Sequence, residues 1–298
     1  MNTALIPAPV AGFSGVRIST TGEMPSPSSD GIGSFRTVCD YSHMNFDDAI
    51  VFPGRVNATH LHVYFGNTSA NANTTPANVV TQGNSTCRGG IANRSAYWIP
   101  AMIDTRNGAP MRPSLMHVYY KSGYQGLSAA AITAPPPGLR MIAGDSMNTV
   151  VRVSWDTPIQ YGCNSGGQTT IPNCSPGSTL EMHVDYPQCW DGVNLDSPDH
   201  KSHMAYGNGR GCPASHPVPI PAISMIAEYP VVGQNTSTWR LSSDRNGAPA
   251  GTSGHGDWMN GWRGQTAGEY LPSIFVPRVI NPARDGGSHM IGDGRAMY

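Results

Sequence analysis

Glutamate and lysine are almost missing from this chain. Its 298 residues include four glutamates (Glu23, Glu181, Glu228, Glu269) and two lysines (Lys121, Lys201). Glu and Lys lose little on entering a helix, so few stretches here favour one. Glycine (35) and proline (26) act the other way, setting turns and ending regular segments. Apolar or alternating runs recur at 60–65, 95–103, 116–122, 139–143, 149–156, 179–187, 222–229 and 237–242, the pattern of strands. Asn107-Gly108, Pro135-Pro136-Pro137-Gly138, Asn164-Ser165-Gly166-Gly167, Asn208-Gly209 and Asn246-Gly247 punctuate them as turns. The pattern predicts a mostly β protein, a β-sandwich or jelly roll with long loops and less than about one fifth helix. One short helix is expected near 257–271. Residues 1–33 read as a flexible Pro/Ser/Gly leader, 34–298 as a single β-sandwich-like domain, and 280–298 as an irregular tail.

Charged residues make up 12% of the chain and the net charge is −1. A nucleic-acid partner would need a basic face, and the arginines here are scattered. No apolar run approaches the length of a membrane span. The six cysteines (39, 87, 163, 174, 189 and 212) form no C-x-x-C pair, which argues for disulfides over a zinc ribbon or redox motif. Proximity alone suggests Cys163–Cys174 and Cys189–Cys212, leaving Cys39 with Cys87. Disulfides imply an oxidising compartment, hence a secreted, extracellular or periplasmic protein. Asn57, Asn67, Asn73, Asn84, Asn93 and Asn235 begin N-x-Ser/Thr sequons, which are glycosylation sites if a eukaryote secretes the chain.

Titratable groups concentrate in three short segments. THLHVYF places His60 and His62 two apart on an expected strand, so both imidazoles face one way. That arrangement serves two metal ligands, a substrate-binding pair or two polar residues on a solvated face. CWDGVNLDSPDHKSH carries Asp196, Asp199, His200 and His203 between Cys189 and Cys212. A carboxylate orienting an imidazole there suits general base catalysis or support of a metal; an Asx-turn accounts for the same aspartates. GHGDW supplies His255 and Asp257, where Asp257 also fits a helix cap. Together with Asp48, these residues are the candidate catalytic set. Arg94, Trp190 and Tyr120 are candidate substrate-binding groups, and His60, His62 and His203 a candidate ligand set for one divalent metal ion. No G-x-S-x-G elbow, P-loop, H-E-x-x-H or dinucleotide fingerprint occurs.

The segments FRTVCDYSHMNFDD, THLHVYFGN, NRSAYWIPA, GLRMIAGD, CWDGVNLDSPDHKSHMAYG and GHGDW, in this order between about Phe35 and Trp262, resemble a family of secreted fungal and bacterial proteins known as a domain of unknown function. Fungal members are sometimes fused to WSC carbohydrate-binding modules. The resemblance implies a cell-wall polysaccharide setting and assigns no reaction. Two enzyme readings follow. One is a secreted glycoside hydrolase or lyase acting on polysaccharide or cell-wall glycan, with Asp48, Asp196, Asp199 and Asp257 as its pool of carboxylates. The other is a metal-dependent enzyme built on His60 and His62. A non-catalytic glycan-binding surface protein is the third reading. Under either enzyme reading the three segments converge on one cleft.

Overall fold

The computed structural model describes residues 1–19, 34–122, 124–128, 131–152, 157–262 and 296–298. Nine antiparallel strands form the main sheet: β1 (Ser34–Asn45), β2 (His62–Gly66), β3 (Ala96–Pro100), β4 (Leu115–Lys121), β5 (Arg140–Gly144), β6 (Ile159–Cys163), β7 (Thr179–Asp185), β8 (Ala222–Pro230) and β9 (His255–Met259). Their order across the sheet is β5-β9-β3-β2-β1-β4-β8-β7-β6. The sheet curls until its ends nearly meet. A Cβ at Gly144, in edge strand β5, would lie 2.8 Å from Ile159 in the opposite edge strand, β6. Gly256 of β9 is likewise closed in by Val184 and Met225 across the interior. The mostly β, sandwich-like fold expected from turn chemistry is what forms. The one α-helix among the described residues is Pro76–Val79.

Alternation sorts side chains onto two faces. Val63 and Phe65, Tyr97 and Ile99, Met141 and Ala143, and Trp258 enter the main core. Their neighbours Tyr64, Trp98, Ile142 and Met259 point the other way, into a smaller cluster with Ala49, Ile50, Ala70 and Val79. His62 lies two residues from Tyr64, and His255 and Asp257 lie four and two residues from Met259, so the strand period places all three on this second face.

The cysteines pair as proximity suggested: Cys39–Cys87, Cys163–Cys174 and Cys189–Cys212. The last closes 23 residues of sequence and contributes about 3 kcal/mol by restricting the unfolded chain.

Several expectations need correction. Residues 1–19 do not stand off as a leader: Val10 N–H donates to Ser42, Phe13 bridges Ser85, and Ile18 pairs with Met297. Residues 20–33 lie outside the described set. The helix expected near 257–271 is replaced over 255–259 by β9, which pairs on both sides with β3 and β5; glycines at 254, 256 and 261 disfavour a helix there. Residues 263–271 lie outside the described set, as do 280–295 of the expected tail. No strand forms over 149–152, and 153–156 are likewise not described. The sequons at Asn67 and Asn93 are buried, at 1% and 0% exposure. The Asn67 amide donates to the carbonyls of Val79, Gln82 and Arg94, so Asn67 holds loops together, and the Asn93 amide donates to the Tyr97 hydroxyl.

Candidate functional site

Three imidazoles meet at the start of β2 and β9. His60 Nε2 lies 3.2 Å from His255 Nε2, and His62 Nε2 lies 3.4 Å from the same atom. The rings of His60 and His62 are 4.2 Å apart between centroids. Strand register explains the meeting. His62 pairs with Pro100, and Asp257 pairs with Trp98 on the far side of β3. His62 and His255 therefore flank Pro100 and reach toward each other over it.

Their tautomers are fixed by backbone carbonyls. His62 Nδ1 lies 3.0 Å from the Asp47 carbonyl, and His255 Nδ1 lies 2.9 Å from the Ser253 carbonyl. A carbonyl only accepts, so both Nδ1 atoms carry the proton and both Nε2 atoms present lone pairs. His60 Nδ1 faces the Thr59 hydroxyl, which can donate or accept. One proton on His60 satisfies its contact with His255 and leaves the His62–His255 contact with two lone pairs face to face. A cation among the three nitrogens satisfies all of them. Ions held at about 2.0–2.1 Å in tetrahedral geometry separate their nitrogen ligands by about 3.3 Å, close to the distances of His255 Nε2 from His60 and His62, and all three ligand atoms lie within 4.8 Å of one another. Nδ1–H donation to a carbonyl is also how metal-bound histidines are oriented.

Burial reinforces this arrangement. It drives the His60 pKa down to about 3 and that of His255 to about 4, and pushes His62 well below its ordinary value, with neighbouring imidazoles adding to the shifts of His60 and His62. Lowered histidine pKa values favour folding above the unfolded value of about 6.5, and this contribution is lost as pH falls toward 4 and 3. We predict that imidazole nitrogen NMR of the metal-free protein finds all three rings neutral above about pH 5, with His62 and His255 as Nδ1–H tautomers. Titration of any of them near 6.5 would contradict this.

Beneath the imidazoles lie two carboxyls. Asp48, His62 and Asp257 bring ligand atoms within 4.8 Å of one another. Asp48 accepts from the Ile50 and Val51 amides. Asp257 is 0% exposed, and neither carboxyl oxygen has a hydrogen-bond partner. Burial raises both pKa values, and the Asp48 charge raises that of Asp257 further. His43 stacks on Tyr64 at 4.7 Å, and Tyr64 donates to the Asp47 carbonyl that orients His62.

The 191–203 loop closes over this face. Arg140 and His200 both hold Asp196, and the Lys201 ammonium donates to the Gly144 carbonyl beside His255. Asp199 accepts from Ser197, from the Lys201 and Ser202 amides and from the Ser202 hydroxyl; these bonds hold its carboxyl below the usual range. Its place is that of a loop brace. Asp199→Ala should cost about 1 kcal/mol, because the bonds are exposed, and leave metal content unchanged by elemental analysis.

His203 is not the third imidazole of the cluster. Its ring nitrogens contact Ser197 Oγ and the Arg140 carbonyl, so neither is left for an ion, and His255 takes the place expected for it. Arg94 spends its guanidinium on the Val80 and Gly83 carbonyls. Tyr120 is fully buried, with its hydroxyl against Tyr97 and Trp262. The Trp190 indole donates to the Asn194 carbonyl. These bonds of the three residues all lie outside the imidazole cluster. Sequence reasoning overlooked Tyr64, Arg140 and Lys201; Tyr64 was visible as the second residue after His62 on the same strand face.

Residues 48–262 match the domain of unknown function DUF1996. The chain belongs to the DUF1996 family. No curated protein and no solved structure matches it. The matched DUF1996 region contains all three imidazoles, both buried carboxyls and the 191–203 loop.

Proposed function

We propose that this DUF1996 protein is a secreted metal-dependent enzyme whose centre is His60, His62 and His255. The observation that carries the reading is the convergence of three neutral imidazoles with two of their Nε2 lone pairs fixed by backbone carbonyls. Three histidines leave a coordination position open, as catalytic sites do and closed structural sites do not. Zinc or copper suits an all-imidazole set; a bound divalent ion would supply a Lewis acid. His60, the partly exposed member of the trio, stands at the mouth. Lys201 and His200 line the rim contributed by the loop, and Asp257 sets a negative or proton-holding group behind His62.

The reaction class proposed is cleavage of polysaccharide, by hydrolysis or elimination, in keeping with the wall setting that the family resemblance implies. A metal-free glycosidase using two carboxylates is the weaker reading. Asp48 and Asp257 are close enough, but Asp257 has no exposed surface from which to reach a sugar, and such carboxylates must flank the scissile bond. Three disulfides among six cysteines support export to an oxidising compartment. The test is release of reducing ends or unsaturated products from cell-wall polysaccharides by zinc- and copper-loaded protein. Activity that survives chelation and the His255→Ala change would refute the metal-dependent reading.

A further inference from the structure

A large cavity lies away from the imidazoles. It encloses about 570 Å³, within the range of small-ligand sites. Lys121 lines it and pairs with Ser34 at one end of β1, whereas His62 pairs with Asn45 at the other. We infer that this cavity binds a neutral oligosaccharide, at a subsite separate from the metal centre.

Amide side chains and one balanced pair of charges face the cavity. Gln125, Gln160, Gln188 and Asn208 line it. Each amide offers both donors and acceptors, which suits sugar hydroxyls, themselves donors and acceptors. Charge is balanced: Lys121 donates to Ser224 Oγ, which in turn donates to Asp185. An anionic ligand would find no excess of cations among the described lining residues. Tyr206 is 46% exposed and anchors its hydroxyl on the Asp185 carbonyl at 2.8 Å, leaving a ring face on which the apolar face of a pyranose can stack.

The walls are built rather than incidental. Cys189 pairs with Ala205 across a short antiparallel contact, so Gln188 and Tyr206 stand near one another. The Cys189–Cys212 disulfide fixes the loop that carries Tyr206 to Asn208. Gly207 is confined there: a Cβ would lie 2.7 Å from Gln125 Cβ and 3.2 Å from Gln188 Nε2. Gln125 adopts φ 55°, which a non-glycine residue rarely does without a local reason.

The inference does not depend on the metal centre. Full-length protein would be titrated calorimetrically with cellohexaose, laminarihexaose, chitohexaose, mannohexaose and xylohexaose, and with trigalacturonate as the charged control. At least one neutral hexasaccharide is expected to bind saturably. Tyr206→Ala and Gln188→Ala should each weaken it at least tenfold, while Tyr206→Phe, which keeps the ring, weakens it less than Tyr206→Ala. His255→Ala should leave it unchanged. Saturable binding of none of the five, binding untouched by both alanine variants, or equal binding of trigalacturonate would overturn the inference. Metal content is measured on the same samples, so loss of sugar binding with metal retained separates failure of this subsite from failure of the metal reading.

Discussion

His255→Ala should remove the metal from this protein. Its Nε2 is the atom that both other imidazoles approach, so its loss leaves two donors and an opened pocket. Losing even a residue that merely supports a ligand costs 10–100-fold in metal affinity; losing a ligand should exceed about 100-fold. The same change should abolish the stabilisation that metal gives the wild type, about 4 kcal/mol at an ion concentration a thousand times the dissociation constant, read as a rise in melting temperature. His203→Ala is the matched control. It should destabilise the 191–203 loop, because the Ser197 and Arg140 contacts go, yet keep the metal. Loss of metal in His203→Ala together with retention in His255→Ala would reverse the assignment.

Asp257→Asn should stabilise the metal-free protein at neutral pH. The wild-type carboxyl is fully buried with both oxygens unpartnered, and its pKa is raised by burial and by Asp48. A raised carboxylate pKa contributes stability that is present at low pH and lost as pH climbs above the unfolded value. Above the unfolded value of about 3.9 the folded protein must hold this carboxyl protonated or ionise it in a dry site, and either costs stability that grows as pH rises. An amide of the same shape carries no such charge cost, so a gain in stability is expected at pH 7, shrinking toward zero near pH 4. The effect of metal should move the other way. A cation among the imidazoles favours a nearby anion, so the stabilisation by metal should be smaller in Asp257→Asn than in the wild type. Urea unfolding across pH, with and without metal, reads both. A destabilised metal-free variant at pH 7 would show that Asp257 has a favourable partner in the fold.

How far the sequence reached can be traced in these residues. Scarce Glu and Lys and frequent turn dipeptides announced the sheet, because those are local preferences. The H-x-H spacing announced a shared direction for His60 and His62, because strand period is local too. GHGDW was legible in principle: His255 and Asp257 alternate as His60 and His62 do. Read alone, Asp257 before an aromatic also resembles a helix cap, and only pairing with β3 and β5 decides between them. β1, twelve residues long, passed unnoticed because FRTVCDYSHMN mixes polar groups into both faces. His203 against His255 was not decidable from sequence. Which imidazole is free to bind depends on whether loop or sheet satisfies its nitrogens, and the 191–203 loop consumes both of His203's for its own closure.

The most direct test of the central claim is X-ray absorption at the metal edge of protein secreted by its natural route and purified without chelator. We predict about one zinc or copper ion per chain with three imidazole nitrogens at about 2.0–2.1 Å, reduced to a trace in His255→Ala. A wild-type protein that carries no stoichiometric transition metal after exposure to zinc and copper, or binds one through a shell lacking three imidazoles, would contradict it.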